Sequence, residues 1–327
     1  VGGGVSSVAA RDALKAFAEK IDAPVFTSPN GKGAFPVDHP LHMGNAMLRP
    51  PIKKLLAEAD VLIAIGTRFQ AGTGGIKIKM QLPALVHIDI DPHSINLNFN
   101  AEVVMVSDAK IALDALLESD YEKGDAEHLE KIQSACSETN ASFRERLGPD
   151  HAKAMDIFAK YLGPGEVFVR DSTIPGYNWG NTLLPIDHPG GYIFPTSGAI
   201  GPGFPLGLGV AVATGTKTLI LHGDGGFMFG VQELATAAHE NIGLITIIMN
   251  NSAFGNVRRD MRRIYKRPPI GSELKNPDFK ALSEAFGIKA YTVEDPGGLK
   301  DALKTAIKEG GPTVIEVKVD RNTEKSP

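Results

Sequence analysis

Two observations predict an α/β protein built as two tandem doubly wound parallel-sheet domains. Apolar β-branched runs alternate with helical patterns along the whole chain, and that alternation restarts after a charged stretch near residue 150. The length of 327 residues suits two domains. In the first half, strands are expected at 23–28, 59–66, 84–91 and 102–108, each apolar enough to be buried on both faces. Between and after them, "SVAARDALKAFAEKI", "PPIKKLLAEA" and "DAKIALDALLES" carry apolar residues three and four apart, as amphipathic helices do. Residues 119–150 hold many charges and few large apolar residues, and read as solvated connecting helix. The domain boundary is placed near 148–150, giving a central domain over 1–148 and a second domain over 149–327. In the second domain strands are expected at 166–171, 191–196, 217–224, 244–251, 288–295 and 312–320. Helical patterns such as "FPLGLGVAVATG" and "VQELATAAHE" separate them.

Composition narrows the function classes. Hydrophobic residues make up 43% and charged residues 22%, as in ordinary globular proteins. A net charge of −4 gives no basic stripe, so nucleic acid is not an expected partner. No apolar run reaches the length of a membrane span. The single cysteine, Cys136, forms no internal disulfide and suits a reducing cytoplasm. The chain opens on "VGGGVSS", which reads as the tail of a strand turning into a helix.

The chemistry concentrates in "GDGGFMFGVQELATAAHENIGLITIIMNN", Gly223 to Asn251. Asp224 ends one apolar strand and Asn251 ends the next, so both face the crevice at the carboxyl edge of a parallel sheet. Gly225 and Gly226 let backbone N–H groups close on an anion. An acid with an amide oxygen suits a hard cation such as Mg²⁺, which takes few protein oxygens and the rest from water and phosphate. The pattern points to a Mg²⁺-bound diphosphate, held against the plainer reading of a strand–turn–helix followed by a coincidental Asn-Asn turn.

At these residues the chain resembles the thiamin-diphosphate-dependent 2-oxoacid decarboxylase and acetolactate synthase superfamily. "GDGGFMFGVQELATA…IIMNN" is similar to its cofactor signature, and "PTSGAIGPGFPLGLGVAVA" to the stretch before it. "GGGVSSVAARDALKAFAEKIDAPVFTSPNGKGAFPVDHPLHMG" and "ADVLIAIGTRF…LVHIDIDPHSI" resemble the central domain of the same enzymes. The resemblance implies that Asp224, Asn251 and the Ala253 carbonyl ligate Mg²⁺, and that Gly223, Gly225 and Gly226 face the diphosphate. It implies that Ile200 wedges under the bent cofactor and that the Gly198 carbonyl accepts from the aminopyrimidine. Asn256 and Val257 fall where the family lines thiazolium and substrate. The implied activity is decarboxylation or carboligation of a 2-oxoacid by a homodimer or homotetramer.

The family also carries a pyrimidine-binding domain whose glutamate activates the cofactor, and the region resembled here lies after it. Truncation, a separate subunit, or a reduced protein working without that glutamate all remain open, with truncation favoured by the abrupt first strand. The alternative function is therefore a cofactor-binding but catalytically incomplete subunit. FAD is a further candidate, through Arg68 with Gly72, Gly74 and Gly75, but a structural reading of these glycines is preferred. His222 is read as a buried strand-end histidine, His188 as a loop residue that could relay protons, and "NVRRDMRRIYKR" as a solvated helix face.

Overall fold

The structure is a computed structural model describing residues 1–70 and 78–320. Two compact units divide it: Val1–Phe143 with Pro185–Tyr192, and Arg144–Leu184 with Ile193–Pro327.

In the first unit, α1 (Val8–Ile21) starts where the Ser7 hydroxyl accepts from the Ala10 N–H and stops at Asp22, in the left-handed region with φ 50°. Its buried stripe is Ala10, Ala13, Leu14, Phe17 and Ala18. Strands β1 (Val25–Phe26) and β2 (His42–Gly44) pair in parallel as one small sheet. Helix α2 (Pro50–Ala57) follows, with proline in its first turn where no N–H is needed. Strands β3 (Val61–Ile65), β4 (Ala84–Asp89) and β5 (Val103–Val106) form a second parallel sheet, with Val61 opposite Ala84 and Val86 opposite Val103. Helix α3 (Ala109–Leu117), capped by Asp108, shares a core with α1 through Leu113 and Phe17. Helix α4 (Ala126–Arg146) is more than a solvated connector, because Ile132, Cys136 and Phe143 are buried along it.

Two expectations change here. β5 is an edge strand with Val103, Val104 and Val106 exposed, so it is not buried on both faces. The short strand β2 has no alternating or apolar run to announce it, since it reads only "HMG".

In the second unit, α5 (Pro149–Tyr161) precedes β6 (Val167–Arg170), β7 (Tyr192–Ile193), α6 (Gly203–Thr214) and β8 (Thr218–Gly223). Then come α7 (Asp224–Phe227), α8 (Leu234–His239), β9 (Leu244–Asn250), α9 (Gly255–Arg263), α10 (Phe279–Ala285), β10 (Lys289–Val293), α11 (Leu299–Glu309) and β11 (Thr313–Lys318). The sheet order is β10-β11-β9-β8-β6-β7. All four residues of β6 and all seven of β9 are buried, as strands covered by helices on both faces must be. Phe204, Phe227 and Phe279 stack edge to face at 5.6 and 5.8 Å in the core beneath the sheet's carboxyl edge. Each expected strand is present, though several are shorter than their apolar runs. No helix among the described residues is long and apolar enough to cross a membrane.

Candidate active site

Parallel pairing aligns β8 with β9, setting Gly223 opposite Met249. Their carboxyl ends therefore emerge side by side in the middle of the sheet, where adjacent loops diverge and leave a crevice. A cavity of about 240 Å³ opens there. Of the residues singled out from sequence, Gly223, Asp224, Gly225, Gly226, Asn251, Ala253, Asn256, Val257 and Ile200 line it. Gly198 does not line it; its carbonyl accepts the Ser172 hydroxyl at 3.2 Å.

The acid and the amide are fixed by the turn after β9. Ser252 lies in the left-handed region at φ 52°, and its N–H is held by Asn250 Oδ1 at 2.9 Å. That reversal returns the Ala253 N–H to Asp224 Oδ2 and to Asn251 Oδ1, both at 3.2 Å. Asn276 donates to Asp224 Oδ2 at 2.7 Å and to Asn250 Oδ1 at 2.9 Å, while Asn250 donates to Glu316 at 2.6 Å. Asp224 is almost fully buried, and burial pushes its carboxyl above the usual range although Asn276 and backbone N–H groups pull the other way.

Behind the glycines the space is closed. A Cβ on Gly225 would come within 2.4 Å of the Phe254 ring, and one on Gly226 within 2.3 Å of Asp171 Oδ2. A side chain at either glycine would have to displace one of these neighbours. The loop carrying Ile200 is held from below by Asp171, fully buried at the end of β6. Both its oxygens accept the Gly201 N–H at 2.9 Å, and Oδ1 accepts the Gly203 N–H at 3.1 Å. Gly201 has φ 104°, and a Cβ there would meet Phe229 at 2.6 Å.

The carboxylate, the amide oxygen and the glycine wall suit a hard cation and an anionic group. Among the described residues, no three His, Cys, Asp or Glu side chains cluster as a metal site. A hard cation at this cavity would therefore draw its protein ligands from Asp224 and from neutral oxygens.

Sequence reasoning left Asp171 and Asn276 without a role. Asp171 ends "EVFVRD" much as Asp224 ends its own strand, which is a usable signal. Asn276 sits in the loop before α10 with nothing in its neighbours to mark it. His222 is fully buried and its pKa is pushed down to about 4 by burial, opposed by Asp171 3.5 Å away. His188 belongs to the first unit, where its Nδ1 lies 3.2 Å from the Pro189 carbonyl, and it does not line this cavity. The arginine run is not wholly a solvated face, because Arg258 is buried and pairs with Glu273 at 3.0 Å. Gly72, Gly74 and Gly75 lie outside the described residues, and the Arg68 carbonyl accepts from Asn98 at 2.7 Å.

Residues 177–317 match the thiamine pyrophosphate enzyme C-terminal TPP binding domain, and residues 1–116 the central domain of the same enzymes. The chain belongs to the thiamin-diphosphate-dependent enzyme superfamily. It is 34% identical, over 97% of its length, to a probable 2-ketoarginine decarboxylase of Pseudomonas aeruginosa, covering 57% of that protein. It is 32% identical over 98% of its length to a probable acetolactate synthase large subunit of Methanococcus aeolicus, covering 57% of it. To the acetolactate synthase large subunit of Lactococcus lactis it is 29% identical, covering 58% of that protein. The chain thus spans little more than half the length of these relatives.

Proposed function

We propose that the second unit binds thiamin diphosphate with Mg²⁺ in this cavity and serves the decarboxylation or carboligation of a 2-oxoacid. The observation that carries the reading is the convergence of Asp224, Asn251, Gly225, Gly226 and Ile200 on one crevice. When bound, the cofactor supplies a thiazolium carbanion for addition to a ketone carbonyl and stores the electrons left when CO₂ departs. Asp224 and Asn251 would hold the metal through oxygen, with the Ala253 carbonyl as third protein ligand. The backbone at Gly225 and Gly226 would receive the diphosphate. Ile200 lines the cavity with an apolar surface, which would exclude water and support the cofactor without adding charge. Asn256 and Val257 stand at the rim for substrate.

The names of the relatives point to 2-oxoacids as substrates, 2-ketoarginine among them. Ile200, Met228, Phe229 and Val257 are exposed apolar residues close in sequence to the cavity wall, and a homodimer or homotetramer would cover such residues. Titration with thiamin diphosphate, with and without Mg²⁺, tests the binding, and CO₂ release from pyruvate, benzoylformate and 2-ketoarginine tests the reaction. Absence of Mg²⁺-dependent binding would sink the proposal.

A second reading starts from the lining itself: among the described residues, those that line the cavity include Asp224 but no glutamate. On it, the chain binds cofactor and a pyrimidine-binding domain supplies the activating carboxylate. Binding without turnover, with turnover restored by adding that domain, selects this reading.

A further inference from the structure

The first turn of α5 puts a histidine into the wall of the Asp224 cavity. His151 lines the same space as Asp224 and Asn251 and is only 6% exposed. Among the described residues neither of its ring nitrogens makes a hydrogen bond. Nδ1 is also shut off from solvent, so Nε2 is the nitrogen with access to the space. Burial pushes the pKa of the ring down against the pull of Asp150, which leaves it a neutral donor. A buried imidazole of this kind costs stability, and no hydrogen bond within the fold offsets that cost.

The sheet says which part of a ligand the ring meets. Ile248 and Val314 pack in one core with Phe279 of α10, so Met249 and Asn251 turn to different faces from Ile248, the pair sharing the opposite one. Met249 is level with Val317 of β11, and the Val319 N–H donates to the Asn250 carbonyl at 3.0 Å, which carries the same register up to Asn251. α11 packs on β9 and β11, and α5 packs on α11, so His151 approaches from the side of Asn251. Ile200 stands instead beside Gly226, where an added Cβ would lie 3.3 Å from it. The helix adds a bias of its own. α5 runs for 13 residues, no side chain caps its start at Gly148, and Pro149 opens it. The aligned peptide dipoles favour negative charge at that end.

We propose that His151 is a ligand for the terminal phosphate of the bound diphosphate, its Nε2–H donating to a nonbridging oxygen. The inference rests on the thiamin-diphosphate reading given above. Ile200 marks where the organic part of the cofactor would rest, and His151 faces the cavity from the Asn251 side, where the phosphate furthest from that part would lie. A neutral ring donating to a charged oxygen makes a charge-assisted hydrogen bond. It does so beside Met249, Val319 and Ile174, which offer no polar side chain to compete for the same oxygen.

The experiment compares the parent chain with His151→Leu and His151→Gln. Isothermal titration measures Mg²⁺-dependent affinity for thiamin diphosphate, and competition measures it for thiamin monophosphate, which lacks the terminal phosphate. His151→Leu should weaken thiamin diphosphate at least about tenfold and change thiamin monophosphate by less than about twofold. Its urea midpoint should equal or exceed that of the parent, because an unpartnered buried nitrogen has been removed. His151→Gln, which keeps a donor, should recover part of the affinity. The ³¹P resonance of the terminal phosphate of bound cofactor should move in His151→Leu while that of the inner phosphate stays. Unchanged affinity, or equal losses for the two ligands, would overturn this inference alone. So would a fall in urea midpoint matching the loss of affinity. No binding of thiamin diphosphate by the parent chain would overturn the functional reading and this inference with it.

Discussion

Asn276 holds Asp224 from a loop 52 positions further along the chain, its amide nitrogen 2.7 Å from Oδ2. The same amide donates to Asn250, so one side chain ties the acid at the end of β8 to the end of β9. A buried carboxylate that keeps a fixed orientation is a better cation ligand than one that must first be ordered. Asn276→Ala should leave the fold intact and weaken Mg²⁺-dependent cofactor binding by about 1–2 kcal/mol, roughly 5- to 30-fold. Isothermal titration checks it; unchanged affinity would show that Asp224 is positioned without Asn276.

Asp171 and Gly226 make a second linked pair. Asp171 carries the two N–H groups that fix the Ile200 loop, and Gly226 is bare because a Cβ would strike Asp171 Oδ2 at 2.3 Å. Gly225 faces the Phe254 ring instead, a side chain that can move. Gly226→Ala should therefore cost more stability than Gly225→Ala, about 2 kcal/mol or more against less than that. Asp171→Ala should cost about 2–4 kcal/mol by stranding buried donors, with Asp171→Asn recovering part. Urea midpoints give the order, and equal losses at the two glycines would contradict it.

The parts of this arrangement that announce themselves in sequence do so for physical reasons. Strands buried on both faces are predominantly apolar, so β6, β8, β9 and β11 stand out as runs despite a few buried polar residues such as Arg170 and Glu316. A strand-end acid followed by glycines is visible because strand, turn and helix are contiguous, which made Asp224, Gly225 and Gly226 readable together. Asn276 reaches the site across the fold, and no local pattern encodes that approach. Asp171 is marked as a strand-end acid, but its partners are backbone N–H groups some thirty residues away, which no side chain announces. β2 was invisible because its pairing depends on where β1 lies and its own three residues carry no period. The exposure of β5 follows from its place at the sheet edge, a property of topology rather than composition.

Acid and alkali should act on the first unit through two bases, buried Lys32 and half-buried His42. His42 is pushed down from its ordinary 6.5 to about 4 by burial, with Lys32 nearby adding to the shift. Between those values the unfolded chain binds a proton that the folded chain refuses, so stability falls as pH drops from 6.5 toward 4. Lys32 is pushed down from 10.5 to about 7 by burial, so by the same sign stability rises with pH from 7 to 10.5. His42→Gln should flatten the acid arm and Lys32→Met the alkaline arm. Each pKa unit removed corresponds to at most about 1.4 kcal/mol. Urea midpoints across pH check both; an unchanged acid slope in His42→Gln would place the titration elsewhere.

Ile200 separates stability from function most cleanly. It lines the cavity yet remains 39% exposed, on a loop held by Asp171 through the backbone rather than by its own side chain. Truncating a partly exposed isoleucine forfeits little core burial, so Ile200→Ala should lower stability by less than about 1 kcal/mol. Its proposed work is to support the cofactor against the glycine wall, where each buried methylene is worth about 0.8 kcal/mol. Cofactor affinity should therefore fall by roughly tenfold while the urea midpoint stays near that of the parent chain. Parallel titration and denaturation test the split. A large loss of stability would make Ile200 a fold residue, and a full retention of affinity would remove it from the cofactor site.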